Sequence, residues 1–241
     1  MKVFRHLVAA TLVGVAALSG AAAIGSPAAA AYVCFGQAAT IVGTPGDDVL
    51  IGREDTADVI VGLGGDDVIF GAEDVNAATG PGDRLCGGAG ADYIRGGVGE
   101  DRIQGGRGND NVDGSFQLDV ITQGGRGNDM VADCDSEYSG GVRIIKGGPG
   151  HDTICVDVDA TRMYGNGGND TLYDLDCGPN SHLFGGPGDD RIESFMDNLE
   201  GSNCSEYGGL DQDVVNGGDG TDSAVVNAGD EVLNTESTST V

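Results

Sequence analysis

The chain has 241 residues, with 39 acidic side chains against 12 basic ones and a formal net charge of −27. Glycine accounts for 45 residues, tryptophan is absent and aromatics make up 5%, a composition that on its own describes a chain too poor in large apolar groups to fold. The charge argues against nucleic acid and anionic membrane surfaces as partners, because both require basic patches.

Residues 1–31 read as a secretory leader. Lys2, Arg5 and His6 make a basic start, Leu7 to Gly25 is apolar, Ser26-Pro27 breaks the run, and Ala28 to Ala31 offers small residues for cleavage. A membrane anchor is the alternative, since a span needs about 20 apolar residues; the small side chains and the alanine cut site favour removal. The remaining 32–241 is expected to form one domain, with a short N-terminal cap and a flexible polar tail over Asn234 to Val241. Loss of Lys2 and Arg5 with the leader takes the net charge to −29. No later apolar run is long enough to span a bilayer.

From Gly43 onward a nine-residue unit recurs ten times, beginning at Gly43, Gly62, Gly87, Gly96, Gly105, Gly124, Gly147, Gly165, Gly185 and Gly217. Its sixth place is always aspartate: Asp48, Asp67, Asp92, Asp101, Asp110, Asp129, Asp152, Asp170, Asp190 and Asp222. Its eighth place is Leu50, Ile69, Ile94, Ile103, Val112, Val131, Ile154, Leu172, Ile192 or Ala224. Glycines at the first, second and fourth places permit a tight turn, and the last three residues make a very short strand with one inward side chain. One unit cannot bury that side chain alone. Two units close one coil of a flattened right-handed solenoid, and stacked coils bury a column of Ile, Leu and Val.

Stacked coils would bring the aspartates of successive turns about 4.8 Å apart. Such a ladder needs a cation between its layers. Calcium takes roughly 6–8 oxygen ligands, carboxylates and backbone carbonyls among them, and the nitrogen or thiolate ligands that zinc or copper prefer are missing from the unit.

The pattern Gly-Gly-x-Gly-x-Asp-x-(apolar)-x, clearest in Gly87 to Arg95, Gly96 to Gln104 and Gly105 to Asp113, resembles the hemolysin-type (RTX) calcium-binding repeat family. The resemblance runs from about Gly43 to Val226. It implies a parallel β-roll with calcium held between turns by the sixth-position aspartates and by turn carbonyls, such as those of Gly88, Gly90, Gly106, Gly108, Gly148, Gly150, Gly186 and Gly188. Some copies depart from the pattern. Thr44, Leu63 and Asn166 replace the second glycine. Gly208 to Asn216 keeps Asp213 as a further candidate ligand but has Asp211 at the fourth place, and Gly114 to Thr122 keeps Asp119 and Ile121 without the turn glycines. Many members of the family leave the cell by an uncleaved C-terminal signal; this chain, with its N-terminal leader and polar tail, fits a general secretory route instead.

Between the units lie an insertion, Ala72 to Arg84, and acidic loops at Asp133 to Gly141, Asp174 to Ser181 and Asp197 to Tyr207. From Gly124 onward the strong copies start at 124, 147, 165, 185 and 208, about one coil apart, so calcium is expected mainly along one edge there. Cys34, Cys86, Cys134, Cys155, Cys177 and Cys204 all follow the leader, an even number that suits disulfides in an exported chain. Spacing suggests Cys134–Cys155 and Cys177–Cys204 between neighbouring coils, with Cys34–Cys86 tying down the N-terminal end.

No nucleophile, zinc-protease or phosphate-loop signature occurs, and His151 and His182 are isolated. The expected protein is a secreted calcium-binding β-roll, not an enzyme, with a structural or binding role. Two alternatives stand beside it: a calcium-dependent adhesion or matrix module, with Tyr138, Tyr173, Tyr207 and Phe195 in or near its loops, and a parallel β-helix polysaccharide lyase. The lyase would need grouped basic residues, and Arg95, Arg102, Arg143, Arg162 and Lys146 show no grouping along the sequence.

Overall fold

The computed structural model describes residues 32–71, 81–97, 99–114, 121–133, 144–156, 161–175, 181–194, 213–226 and 230–240. Among them the fold is all-β: a parallel β-roll of two ten-stranded sheets. A small antiparallel hairpin, β1 (Val33–Cys34) and β2 (Gln37–Ala38), precedes it.

After the hairpin the chain alternates between the sheets, strand by strand. The first sheet holds β3 (Ile41–Val42), β5 (Val59–Val61), β7 (Arg84–Ala89), β9 (Arg102–Arg107), β11 (Ile121–Arg126), β13 (Ile144–Pro149), β15 (Arg162–Gly167), β17 (His182–Pro187), β19 (Val214–Asp219) and β21 (Glu231–Leu233). The second holds β4 (Val49–Ile51), β6 (Val68–Phe70), β8 (Tyr93–Arg95), β10 (Asn111–Asp113), β12 (Met130–Asp133), β14 (Thr153–Val156), β16 (Thr171–Asp174), β18 (Arg191–Ser194), β20 (Ser223–Val226) and β22 (Ser237–Thr240). Each strand pairs in parallel with the strands two before and two after it, so every coil contributes one rung to each sheet.

With so few residues per strand, each rung sends essentially one large side chain inward. In the second sheet these are Ile69, Ile94, Val112, Val131, Ile154, Leu172 and Ile192, all buried, with Leu50 partly buried and small Ala224 near the C-terminal end. The first sheet answers with Ile60, Leu85, Ile103, Ile145, Met163, Leu183 and Val215. Between Ile103 and Ile145 the inward place belongs to Thr122, the ninth place of the Gly114 unit. The Gly124-Gly125 turn that follows sets the register, because Gly125 pairs with Gly106 and a one-residue slip would break that stack.

The hairpin packs at the N-terminal end of the roll. Cys34 is bonded to Cys86, as expected, and with Ala39 it forms a small second core on the outer side of Val59 and Val61. Cys155 is also disulfide-bonded; its expected partner Cys134, and the pair Cys177 and Cys204, lie outside the described residues. The polar tail expected to be flexible instead ends as a rung, Ser237–Thr240 pairing with Ser223–Val226. Residues 1–31, most of the 72–84 insertion and most of the three acidic loops also lie outside the described residues. Among the described residues no helix is long and apolar enough to cross a membrane.

Candidate metal centre

Turns leading from the first sheet to the second form one edge of the roll, and the returning turns form the other. On the first edge every turn takes six residues from glycine to aspartate: Gly43 to Asp48, Gly62 to Asp67, Gly87 to Asp92, Gly105 to Asp110, Gly124 to Asp129, Gly147 to Asp152, Gly165 to Asp170, Gly185 to Asp190 and Gly217 to Asp222. Nine of the ten repeat aspartates therefore stand in one ladder. Asp101 belongs to the other edge. Asp213, read as the next step after Asp190, also lies on the other edge, because it leads directly into β19 of the first sheet; Asp222 is the residue that follows Asp190 in the ladder.

The ladder is held by its own carboxylates. Oδ1 of Asp67 accepts the N–H of Asp48 at 2.9 Å, Asp92 that of Asp67 at 2.9 Å, and Asp110 that of Asp92 at 2.9 Å. The same bond, at 2.8–2.9 Å, continues through Asp129, Asp152, Asp170, Asp190 and Asp222, and Glu236 accepts the last N–H. One place earlier in the turn, Asp66, Asn109, Asn128, Asn169 and Asp189 form an outer row, each accepting an N–H from the following coil. His151, exposed, joins this row through Nδ1, which accepts the Asn169 N–H at 2.7 Å.

The second carboxylate oxygen is the chemically significant one. Oδ2 of Asp67, Asp92, Asp110, Asp129, Asp152, Asp170, Asp190 and Asp222 is buried with no hydrogen-bond partner. Only glycine fits beside it: a Cβ on Gly87 would run into Oδ2 of Asp92, and the same holds for Gly105 with Asp110 and Gly147 with Asp152. Asp48 differs, since Thr44 in place of the second glycine donates its N–H and hydroxyl to Oδ2.

The glycines singled out by the repeat (Gly88, Gly90, Gly106, Gly108, Gly148, Gly150, Gly186 and Gly188) all have φ between +113° and +150°, a region closed to most side chains. Close approach closes it further, as a Cβ on Gly106 would meet the carbonyl oxygen of Gly88. Where the second glycine is lost, Leu63 and Asn166 still adopt positive φ, at 85° and 78°, so the stack dictates the turn even against residue preference.

Burial raises the carboxyl pKa along the ladder, to about 6 for Asp67, Asp152 and Asp190 and about 7 for Asp110 and Asp170, with neighbouring carboxylates adding to the effect. Asp101 on the other edge is likewise raised to about 7 by burial. A row of buried carboxylates in this condition calls for a cation. The donor set is all oxygen, with orphaned buried carboxylate atoms in a glycine-lined turn, and it fits calcium. Among the described residues no three acidic, His or Cys side chains converge on one point, so backbone carbonyls must supply much of any ion's shell.

On the other edge the turns vary in length and the ladder changes chemistry. Asp58, Asp83 and Asp101 form its first rungs, with N–H to Oδ1 distances of 2.7 Å. Asp58 is already neutralised: burial alone would raise its carboxyl, but Arg53, at 2.6 Å, and Thr40 hold it below the usual range. Further along, Thr161 donates its N–H to Ser181 Oγ at 3.2 Å, and Ser181 donates to Asp213 at 2.9 Å. Asp213 in turn donates to Asp230 at 3.2 Å. Asp119 lies outside the described residues; with Thr122 inward, the residue two places ahead of the inward side chain is Val120.

Reasoning from the full repeat missed Asp58, Asp83 and Asp230. A shorter signal, aspartate two residues before an inward apolar residue, finds them as Asp58-Val59-Ile60, Asp83-Arg84-Leu85 and Asp230-Glu231-Val232. The basic residues were also misjudged. Arg102, Lys146 and Arg162 fall on the outer face of the first sheet together with Arg84, Arg107 and Arg126, while Arg95 lies on the second sheet. Arg143 is outside the described residues.

A family profile described as the RTX calcium-binding nonapeptide repeat matches residues 37–56, 54–76, 86–121, 157–175, 180–194 and 207–237. No curated protein and no solved structure matches the chain. The matched segments cover more than half of the sequence, and the coils they skip, at Gly124 and Gly147, continue the same aspartate ladder. The chain therefore belongs to the RTX calcium-binding nonapeptide repeat family and is a calcium-binding parallel β-roll.

Proposed function

We propose that this is a secreted protein whose roll folds around calcium once outside the cell, and that it serves as a structural or binding rod without chemistry of its own. The observation that carries this reading is the unbroken run of buried, unpartnered Oδ2 atoms from Asp67 to Asp222. In this reading these oxygens and the turn carbonyls, including those of Gly88, Gly90, Gly106, Gly108, Gly148, Gly150, Gly186 and Gly188, are the calcium ligands, and metal binding free energy becomes folding free energy. Asp101 serves the other edge in the same way, and Asp213, whose Oδ2 already accepts the Ser194 hydroxyl at 2.8 Å, contributes less there. Asp48, satisfied by Thr44, is the weakest of the proposed ligands.

The leader over residues 1–31 and the disulfides support export, since disulfides persist in oxidising compartments. Cytosolic calcium is far below the range of about 10⁻⁴–10⁻³ M to which extracellular modules are tuned, so the chain stays unfolded until it leaves the cell. Far-UV circular dichroism of the oxidised chain from residue 32, titrated from chelator into calcium with magnesium as control, tests this. A cooperative gain of β signal with calcium alone is expected; a spectrum already β-rich in chelator and indifferent to calcium would sink the proposal.

A further inference from the structure

In a chain with 39 acidic side chains, one part of the first sheet gathers basic ones. Arg84, Arg102, Arg107, Arg126, Lys146 and Arg162, six of the ten basic residues that follow the leader, all lie on the outer face of the first sheet. The six strands β7, β9, β11, β13, β15 and β17 contain no acidic residue at all. Among the described residues none of these six cations has a salt bridge, whereas Arg53, Arg95 and Arg191 elsewhere are paired with Asp58, Asp113 and Glu193. Register places Arg84 beside Arg102 and Arg107 beside Arg126 on adjacent rungs, so like charges face each other about 4.8 Å apart. Such pairs destabilise a sheet unless an anion lies across them. Arg84 Nε is moreover buried without an acceptor.

The face also carries flat and amide groups. Gln104, Gln123, Lys146, Tyr164 and Phe184 stack in one row, the last two rings 5.1 Å apart and nearly parallel, with Lys146 Nζ 5.9 Å from the Tyr164 ring. A groove of about 660 Å³ begins at Leu63 and Cys86, beside the hairpin, and runs past Gln104, Arg107 and Arg126 to Pro149. It crosses five rungs, roughly 19 Å at strand spacing. A second groove of about 350 Å³ lies between Tyr164, Asn166, Phe184 and Pro187. The grooves cross the strands, so the ligand they suit is long and narrow.

We propose that this face binds an extended polysaccharide bearing carboxylates. Guanidinium groups take carboxylates bidentately, glutamine amides bond hydroxyls, and the aromatic planes offer apolar faces to sugar rings. Duplex nucleic acid, with one charge per about 1.7 Å, would be repelled by the acidic edges on either side of the sheet; a polymer with at most one carboxylate per sugar is far less so. This inference rests on the calcium-folded rod, because only the stacked coils bring the six cations onto one face.

The test uses the calcium-loaded, oxidised chain and a galacturonate octasaccharide, measured by calorimetry, with carboxyl-reduced octasaccharide as control. Binding to the acidic oligosaccharide alone is expected. Arg107→Gln/Arg126→Gln should weaken it roughly tenfold, and Tyr164→Ala/Phe184→Ala should weaken it in a separate variant. Arg95→Gln/Arg191→Gln, an equal charge change on the second sheet, should leave it unchanged; circular dichroism in calcium confirms folding of each variant. No binding by folded protein, equal binding by both arginine variants (calcium bridging the sugar to the acidic edges), or equal affinity for an oligoaspartate peptide would each overturn the proposal. If the protein proves folded in chelator and still binds, the calcium-folding reading fails while this one stands.

Discussion

The two edges of the roll solve the same problem with different side chains. Along one edge, every turn from Gly43 to Asp222 has the same length and carries an aspartate whose Oδ1 caps the neighbouring coil. Along the other, turn lengths vary, and the capping oxygen is a carboxylate at Asp83, Asp101, Asp213 and Asp230 but a hydroxyl at Ser181. Both edges therefore satisfy the backbone N–H that a tight stack would leave exposed. Only the first keeps a spare buried carboxylate oxygen at rung after rung. Capping alone requires an acceptor, and serine suffices for it; the persistence of aspartate on the regular edge reflects a need for charge.

The largest expected effect breaks that charge. Asp110→Asn/Asp129→Asn/Asp152→Asn should raise the calcium midpoint of folding about tenfold or more, while Thr161→Val/Ser181→Ala on the other edge should leave the midpoint in place and lower stability only slightly. Equal shifts in the two variants would mean that ions do not line one edge.

Acidity should sharpen the comparison next. Burial lifts the folded-state pKa of the ladder carboxyls to about 6 or 7 from an ordinary value of 3.8. Their contribution in calcium-free protein is therefore fully present below pH 3.8 and is lost as pH rises through 6 to 7. Circular dichroism in chelator should accordingly show more β structure at pH 4 than at pH 8, and calcium binding at pH 6 should release protons to the buffer. A calcium-free state indifferent to pH across this window would contradict the burial of the ladder.

A backbone test comes third. Gly127 has φ +135° and lies against the carbonyl oxygen of Gly108, whereas Gly167 has open space where a Cβ would go. Gly127→Ala should cost more than about 1 kcal/mol in urea unfolding with calcium present, and Gly167→Ala should stay within about 0.5 kcal/mol. The smallest effect is expected inside the roll. Thr122→Val, replacing the hydroxyl between Ile103 and Ile145, should stabilise by up to about 1 kcal/mol, and a loss would show that the hydroxyl has a needed partner.

Much of the molecule was legible in the chain because each nonad carries its turn, its ligand and its core residue within nine places. That locality yields the β-roll, the second-sheet column from Ile69 to Ile192, and nine aspartates of the regular edge. The Cys34–Cys86 bridge is present as expected, but six cysteines allow fifteen pairings and spacing alone does not choose among them. What the sequence could not decide is whatever depends on how coils line up across inserts of unequal length. Asp213 reads as the next rung after Asp190 but stands on the opposite edge, and Thr122 takes an inward place because the following glycine pair sets the register. The basic face is the clearest case. Its six cations are scattered over 79 positions, from Arg84 to Arg162, and become neighbours only when parallel pairing stacks each coil on the last, since strand register, unlike a turn motif, is a property of the whole stack.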